Sequence, residues 1–286
     1  MAVNNLNLYK ERFERVLSDY LNAYPVKFSP VLDAVVYAVS AGGKIVRPAL
    51  AYMGARIAGA EPEKADKVAL AVEFIHNYSL IHDDLPCMDD DDLRRGRPTV
   101  HKAFGEGTAV LAGDALLNLA FECIGGAGKA AGYIASQSGM RGMVGGQCLD
   151  LANSDNAGVE GESQLDKINS LKTSALFKAA LAGGAIICGA DEELVSSLEL
   201  YADCLGKVFQ IVDDILDAQS SAEVLGKSAG QDEKNGKVTY VSLLGIDGAM
   251  KAAYKINAEC KRAIAKYGPR AEELTRFADY LAGRVK

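Results

Sequence analysis

Apolar residues recur along this chain at the three- and four-residue spacing of helices, and no segment alternates apolar with polar residues long enough to make a convincing strand. Ser29-Pro30 places a capping residue before a proline at the first helical position and opens a helix over 31–39. Glu61-Pro62 does the same for a long segment that runs to Asp84. Ser163 and Asp166 have the spacing of a capping box, which predicts a helix through 181. Further helices are expected over 6–24, 46–59, 107–124, 141–152, 191–219, 247–267 and 270–284. Short clusters of Gly, Asp and Asn at 105–107, 153–161 and 230–236 separate them. With about ten helices, no linker and no repeat of fixed period, the expected architecture is one all-α domain over residues 1–286. The run 179–190, apolar all round, is expected inside the bundle and the charged segment 5–24 on its surface.

Composition narrows the classes. A chain of 286 residues with 49% hydrophobic and 24% charged positions can bury a sizeable core and is not a disordered polymer. Its net charge of −7 argues against a nucleic-acid partner, and at first sight against an anionic substrate as well. The six cysteines lack the paired spacing of a zinc or redox site, so they are expected to be reduced and mostly in the core of a cytoplasmic protein. No signal-peptide pattern opens the chain, and the longest uncharged apolar run is far short of the ~20 residues of a membrane span. No membrane span is expected.

Two acidic clusters carry the candidate chemistry. The first, Asp83, Asp84, Asp89, Asp90, Asp91 and Asp92, follows a mostly apolar helix, so its first members stand where the helix dipole disfavours negative charge. Pro86 breaks that helix and lets the chain curl back towards Asp83. The second, Asp213, Asp214 and Asp217, shares a predicted helix face with Gln210 amid Val208, Phe209, Ile211, Val212, Ile215 and Leu216. Carboxylates embedded in apolar helices need a counter-charge, and a hard divalent cation completing its shell with substrate phosphate oxygens supplies one. With only three histidines, a transition-metal site is disfavoured. His76, Ser79 and Asp83 share one face of the first helix. Cations lie nearby: Arg94 and Arg95 after the first cluster, Lys44 and Arg47 on an expected first helical turn after Gly42-Gly43, and Lys172, Lys227 and Lys237 in polar or Gly-rich contexts. Arg grips phosphate bidentately and Lys as a point charge, so the constellation points to magnesium bridging protein to a diphosphate. The nine clustered acids also explain the net charge, because without them the chain is basic by two.

With these motifs in place, the chain resembles the trans-prenyl diphosphate synthases, and most of all the bacterial farnesyl-forming type. DDLPCMDDDDLRRG at 83–96 matches the first aspartate-rich motif and DDILD at 213–217 the second. GGKIVRP at 42–48, GGQCLDL at 145–151, LKT at 171–173, FQ at 209–210 and LGKSAGQDEKNGKVTY at 225–240 follow in family order. Ile45 stands where Arg is frequent in the family, and Ser174 where Gly is frequent.

The resemblance implies an isoprenoid-synthase bundle around a central cavity, working as a homodimer. It implies that Asp83, Asp84, Asp89, Asp213 and Asp217 hold several magnesium ions on an allylic diphosphate. Arg94, Lys172, Lys227 and Lys237 would hold the same diphosphate, while Lys44, Arg47, His76 and Arg95 would hold isopentenyl diphosphate. Thr173 and Gln210 would line the space where the allylic cation forms. The implied reaction condenses isopentenyl diphosphate head-to-tail with dimethylallyl and then geranyl diphosphate, the released diphosphate taking the proton. Tyr78 lies five residues before Asp83, about 7.5 Å along the axis, and with Ser79 is expected to limit growth to farnesyl diphosphate. The alternative within the family is a geranylgeranyl or geranyl diphosphate synthase. Outside it stand a class I terpene cyclase, whose second motif differs from DDILD, and a non-catalytic diphosphate-binding partner subunit.

Overall fold

The structure, a computed structural model, describes residues 2–26, 29–155, 161–223 and 238–285. Lys227 and Lys237, and with them most of the 225–240 motif, lie outside the described residues. The fold is all-α, with thirteen α-helices among the described residues. In chain order they are α1 (Ala2–Ala23), α2 (Pro30–Val39), α3 (Val46–Ile57), α4 (Asp66–Asp83), α5 (Val100–Phe104), α6 (Glu106–Ile124) and α7 (Lys129–Ser138). There follow α8 (Met143–Asp155), α9 (Glu162–Asn169), α10 (Ala175–Ile186), α11 (Glu192–Glu223), α12 (Tyr240–Ile264) and α13 (Glu272–Ala282). The one sheet among the described residues is a hairpin of β1 (Leu93–Arg94) and β2 (Arg97–Pro98), turned at Arg95 and Gly96 with φ of 55° and 75°. Two successive left-handed residues match the twist of the paired strands.

Helix starts show which local signals mattered. Ser29 Oγ accepts from the Val31 amide at 3.2 Å, as the Ser-Pro pair predicts. At Glu61-Pro62 a short 3₁₀ turn forms first, and α4 starts after it at Asp66. The capping box expected at Ser163 does not form, because Gly161 is the cap and offers no side chain. A capping box does form at Thr239, where its Oγ1 accepts from the Ser242 amide and Ser242 Oγ accepts from the Thr239 amide. The expected helix through 181 is broken into α9 and α10 by a π-helical turn, Ser170–Ser174. Helix α12 begins before the expected residue 247 and is interrupted by Gly245 at φ 68°.

Helix α10 is packed against α3, α4, α7 and α11 and is buried from Ala179 to Ala185, but the rest of the run expected inside, 186–190, lies at and beyond the helix end and is only partly covered, with Gly189 exposed. Its contact with α3 is backbone-close. A Cβ on Gly54 would sit 2.1 Å from the Leu181 carbonyl oxygen, and one on Gly184 would sit 2.1 Å from that of Ala51. Helix α1 lies on the surface, and among its described side chains it buries only Tyr9, Phe13 and Leu17, four residues apart, against that core. One stretch among the described residues, Glu106–Ala127, has the length and apolar composition of a membrane crossing. It carries α6, which packs against α4, α2 and α5.

All six cysteines are free thiols, but they are not mostly core. Cys204 and Cys260 are buried, Cys123 and Cys188 are partly covered, and Cys87 and Cys148 are exposed. Cys87 falls in the acidic loop after α4 and Cys148 at the edge of a cavity, positions that periodicity does not distinguish from core.

Candidate active site

Two neighbouring cavities open between α3, α4, α8, α11 and the π-helical turn Ser170–Ser174, meeting at Arg47, His76 and Leu80. The first, of about 530 Å³, is lined by Lys44, Arg47, Glu73, His76, Arg94, Arg95, Phe209 and Asp213. The second, of about 420 Å³, is mainly apolar, with Tyr78, Met88, Met143, Val144 and Leu151 on its walls. Asp83, Gln147, Lys172 and Thr173 stand on it as well, together with Ser79.

The cationic cavity is shaped by backbone as much as by charge. Gly42 and Gly43 have φ of 72° and 153°, and the Arg95 guanidinium lies over them, donating to the Gly42 carbonyl. A Cβ on Gly43 would meet that guanidinium at 3.0 Å. Ile45, a β-branched residue at φ 48°, is the strained link between Lys44 and α3. Lys44 therefore precedes the helix and is not on its first turn, contrary to the expected placing. Its Nζ lies 3.6 Å from Asp213 Oδ1 and 5.4 Å from the Phe209 ring centroid. Arg47, on the first turn of α3, stacks over Phe177 at 5.2 Å, and its Nε is buried without a hydrogen-bond partner. Burial pushes this guanidinium down to about 10. Burial also lowers His76 well below the usual imidazole range, helped by Arg47, Arg95 and Arg94. A neutral imidazole beside three arginines and an orphaned guanidinium N–H make a cavity built for an anion.

Asp83 is the last residue of α4, and the chain turns after Pro86 so that the Asp89 amide donates to the Asp83 carbonyl at 2.9 Å. Burial pushes the Asp83 carboxyl up to about 6, Lys172 opposing the shift and Asp89 adding to it. Gln147 Nε2 donates to Asp83 Oδ1 at 2.8 Å. That residue was not among the expected site residues, although it lies in the GGQCLDL motif. Lys172 Nζ donates to Asp150 Oδ2 at 2.6 Å.

The other expected ligands divide. Asp84 is buried and faces a small cavity with Tyr37 and Thr99, where Arg94 Nε donates to it at 3.0 Å. Arg94 also donates to Asp91 at 3.3 Å, so it holds the acidic loop as well as lining the cationic cavity. The face expected to carry Gln210, Asp213, Asp214 and Asp217 together splits. Asp213 borders the cationic cavity, whereas Asp214 is buried, accepting from Gln210 Nε2 and the Tyr240 amide, each at 2.9 Å. The two adjacent carboxylates leave the helix about 100° apart, and here they meet different surroundings. Asp217 is exposed and borders neither cavity. Arg284, near the C-terminus, reaches Asp213 at 3.3 Å, a partner that no local spacing could reveal.

A family model described as polyprenyl synthetase matches residues 29–275. The chain belongs to the polyprenyl synthetase family. A chloroplastic geranylgeranyl pyrophosphate synthase of Catharanthus roseus is 45% identical over 262 residues, covering 88% of this chain and 73% of the relative. One from Capsicum annuum is also 45% identical over 262 residues, covering 88% and 71%. Among solved structures, an FPP/GFPP synthase from Zymomonas mobilis is 36% identical, with a TM-score of 0.86 over 99% of this chain and 100% of that one. A geranyltransferase from Legionella pneumophila is 31% identical, with a TM-score of 0.86 over 99% and 98%. This membership makes the chain a prenyl-transferring enzyme that builds isoprenoid chains.

The residues of this polyprenyl synthetase suit a hard divalent cation. Asp83, Asp89 and Asp213 offer carboxylate oxygen only, and burial raises the Asp83 carboxyl although Lys172 and Arg94 lie near it. No three His, Cys, Asp or Glu side chains converge as a ligand group among the described residues. A cation held there completes its shell with oxygens of water or of an anionic substrate, as magnesium does.

Proposed function

We propose that this chain condenses isopentenyl diphosphate with allylic diphosphates in a magnesium-dependent reaction. The observation that carries the reading is the junction of an anion-binding cavity with an apolar one, with Asp83 on the apolar wall and Asp213 on the cationic one. Lys44, Arg47, His76 and Arg95 hold the diphosphate of isopentenyl diphosphate. Lys172 and Arg94 hold that of the allylic substrate, whose tail lies along Tyr78, Ser79, Met143 and Leu151. Asp83 on the apolar wall, Asp89 from the loop that curls back to it and Asp213 on the cationic wall would hold the magnesium. When bound, the metal neutralises charge on the leaving diphosphate. Lys172 and Arg94 add positive charge to the same group, so the allylic carbon–oxygen bond ionises. The apolar walls keep water from the cation, and the double bond of isopentenyl diphosphate attacks it. The proton then leaves to the released diphosphate, so the neutral His76 is not required as a base.

For product length we propose geranylgeranyl diphosphate. The support is the 44–45% identity to geranylgeranyl synthases over nearly the whole chain, which favours this alternative over the farnesyl product expected from Tyr78. The Tyr78 ring stacks edge-on against His82 of its own helix, ring centroids 5.8 Å apart, and so is held along the wall of α4. A farnesyl product is the second reading, because Tyr78 and Ser79 do border the apolar cavity. Mass spectrometry of products from dimethylallyl and geranyl primers tests the choice. A twenty-carbon major product supports the proposal, and a fifteen-carbon stop overturns it in favour of Tyr78 as a floor.

A homodimer belongs to the same proposal. Helix α6 is strongly apolar yet leaves Val110 and Leu111 exposed, a surface that a second copy would cover. The free thiols support a reducing, cytoplasmic setting.

A further inference from the structure

Lys172 and Thr173 reach the apolar cavity from the π-helical turn Ser170–Ser174. Such a turn carries one residue more than an α-turn and is rare, occurring mostly as a single turn inside α-helices. Returning it to α-helical register would rotate its residues by about 100° relative to one flank and swing Lys172 off the cavity.

A single residue of α11 fastens both ends of this turn. Ser170 Oγ donates to Asp203 Oδ1 at 2.6 Å, and Ser174 Oγ donates to the Asp203 carbonyl at 3.1 Å. Lys178, one turn further along α10, lies 2.7 Å from the same Oδ1 and neutralises it. The neighbouring helices leave room for nothing else. A Cβ on Gly206 of α11 would sit 2.3 Å from Ser174 Oγ, and one on Gly146 of α8 would sit 2.3 Å from the Lys172 amide nitrogen. The turn is gripped from two sides.

We propose that Asp203 is a positioning residue, which holds the π-turn in the register that presents Lys172 and Thr173 to the allylic diphosphate. Asp203 borders neither cavity and acts through the turn. The inference rests on the proposed allylic role of Lys172.

The test is a double-mutant cycle on Asp203→Ala and Lys172→Ala. It reads equilibrium binding of inorganic diphosphate with magnesium, and KM for each substrate. Asp203→Ala should weaken diphosphate binding and raise KM for the allylic substrate about fivefold or more, leaving KM for isopentenyl diphosphate within about twofold. Asp203→Asn, which keeps the acceptor for Ser170, should restore most of the loss. The double variant should bind no more weakly than Lys172→Ala alone, because the two act as one unit. Additive losses, a parallel rise in both KM values, or wild-type behaviour of Asp203→Ala would overturn the proposal. If Asp203→Ala does not fold, Ser170→Ala must show the same split at smaller scale, and a wild-type result there overturns it. Failure of the wild-type protein to make any prenyl product would instead count against the proposed function, since the diphosphate cycle judges Asp203 separately.

Discussion

Gln147 Nε2 donates to Asp83 Oδ1 at 2.8 Å, joining α8 to the C-terminal end of α4 across the apolar cavity. The bond fixes one oxygen of the proposed ligand and leaves the other to the site. Removing a group that orients a metal-binding carboxylate in this way changes metal affinity or activity about 10–100-fold. Gln147→Leu should therefore lower turnover by about tenfold and move the magnesium activation curve to higher concentration. Steady-state rates across a magnesium series check this. An unchanged curve would mean that Asp83 needs no positioning.

Glu73 lies buried on the cationic cavity, with Asn77 Nδ2 donating to its Oε1 at 3.2 Å. Burial raises its carboxyl above the usual range, although Arg47 and Arg95 oppose the shift. A carboxyl raised in the fold stabilises the protein below its unfolded-state value and loses that contribution as pH rises through the folded value. Glu73→Gln keeps the acceptor for Asn77 without the charge. It should raise the melting temperature of the ligand-free protein at neutral pH and lose that advantage in acid. Thermal unfolding of both proteins across pH reads the difference directly.

Gly184 of α10 faces the Ala51 carbonyl of α3, and Gly54 of α3 faces the Leu181 carbonyl. Backbone atoms cannot move aside as the tip of a side chain can. Gly184→Ala should cost about 1–3 kcal/mol through overpacking, read as a lowered denaturant midpoint. A neutral result would show that the two helices can separate without loss.

Exposure orders the thiols. An alkylating reagent should modify Cys87 and Cys148 first and leave Cys204 and Cys260 unmodified until the protein unfolds. Because Cys148 borders the apolar cavity, a bound prenyl diphosphate should protect it while Cys87 continues to react. Peptide mass spectrometry with and without ligand separates the two.

Local chemistry wrote some of this fold into the sequence. Ser29-Pro30 announces α2, the apolar run of α10 announces a buried helix, and the two DD motifs announce facing acids. Helix α7 was not legible, because it buries only Ala130, Ile134 and Ser138 and carries Gly132 at its centre. Its apolar stripe is one residue wide. The π-turn was not legible either, since nothing in Ser170–Ser174 favours it and Asp203, thirty-three residues after Ser170, holds it. The aspartates of the second cluster looked equivalent in spacing. Only the packing of Tyr240 against Asp214 and of Lys44 against Asp213 tells them apart. Arg284 joins the site by a contact across 71 positions, beyond the reach of any periodicity.

The most direct test of the two-walled site is incorporation of labelled isopentenyl diphosphate onto an allylic primer in the presence of magnesium, comparing the wild-type protein with Asp83→Ala and Asp213→Ala made separately. The wild-type protein should yield labelled prenyl diphosphates, and each substitution alone should abolish them. Absence of incorporation by the wild-type protein, or near-wild-type turnover in either variant, would contradict the account.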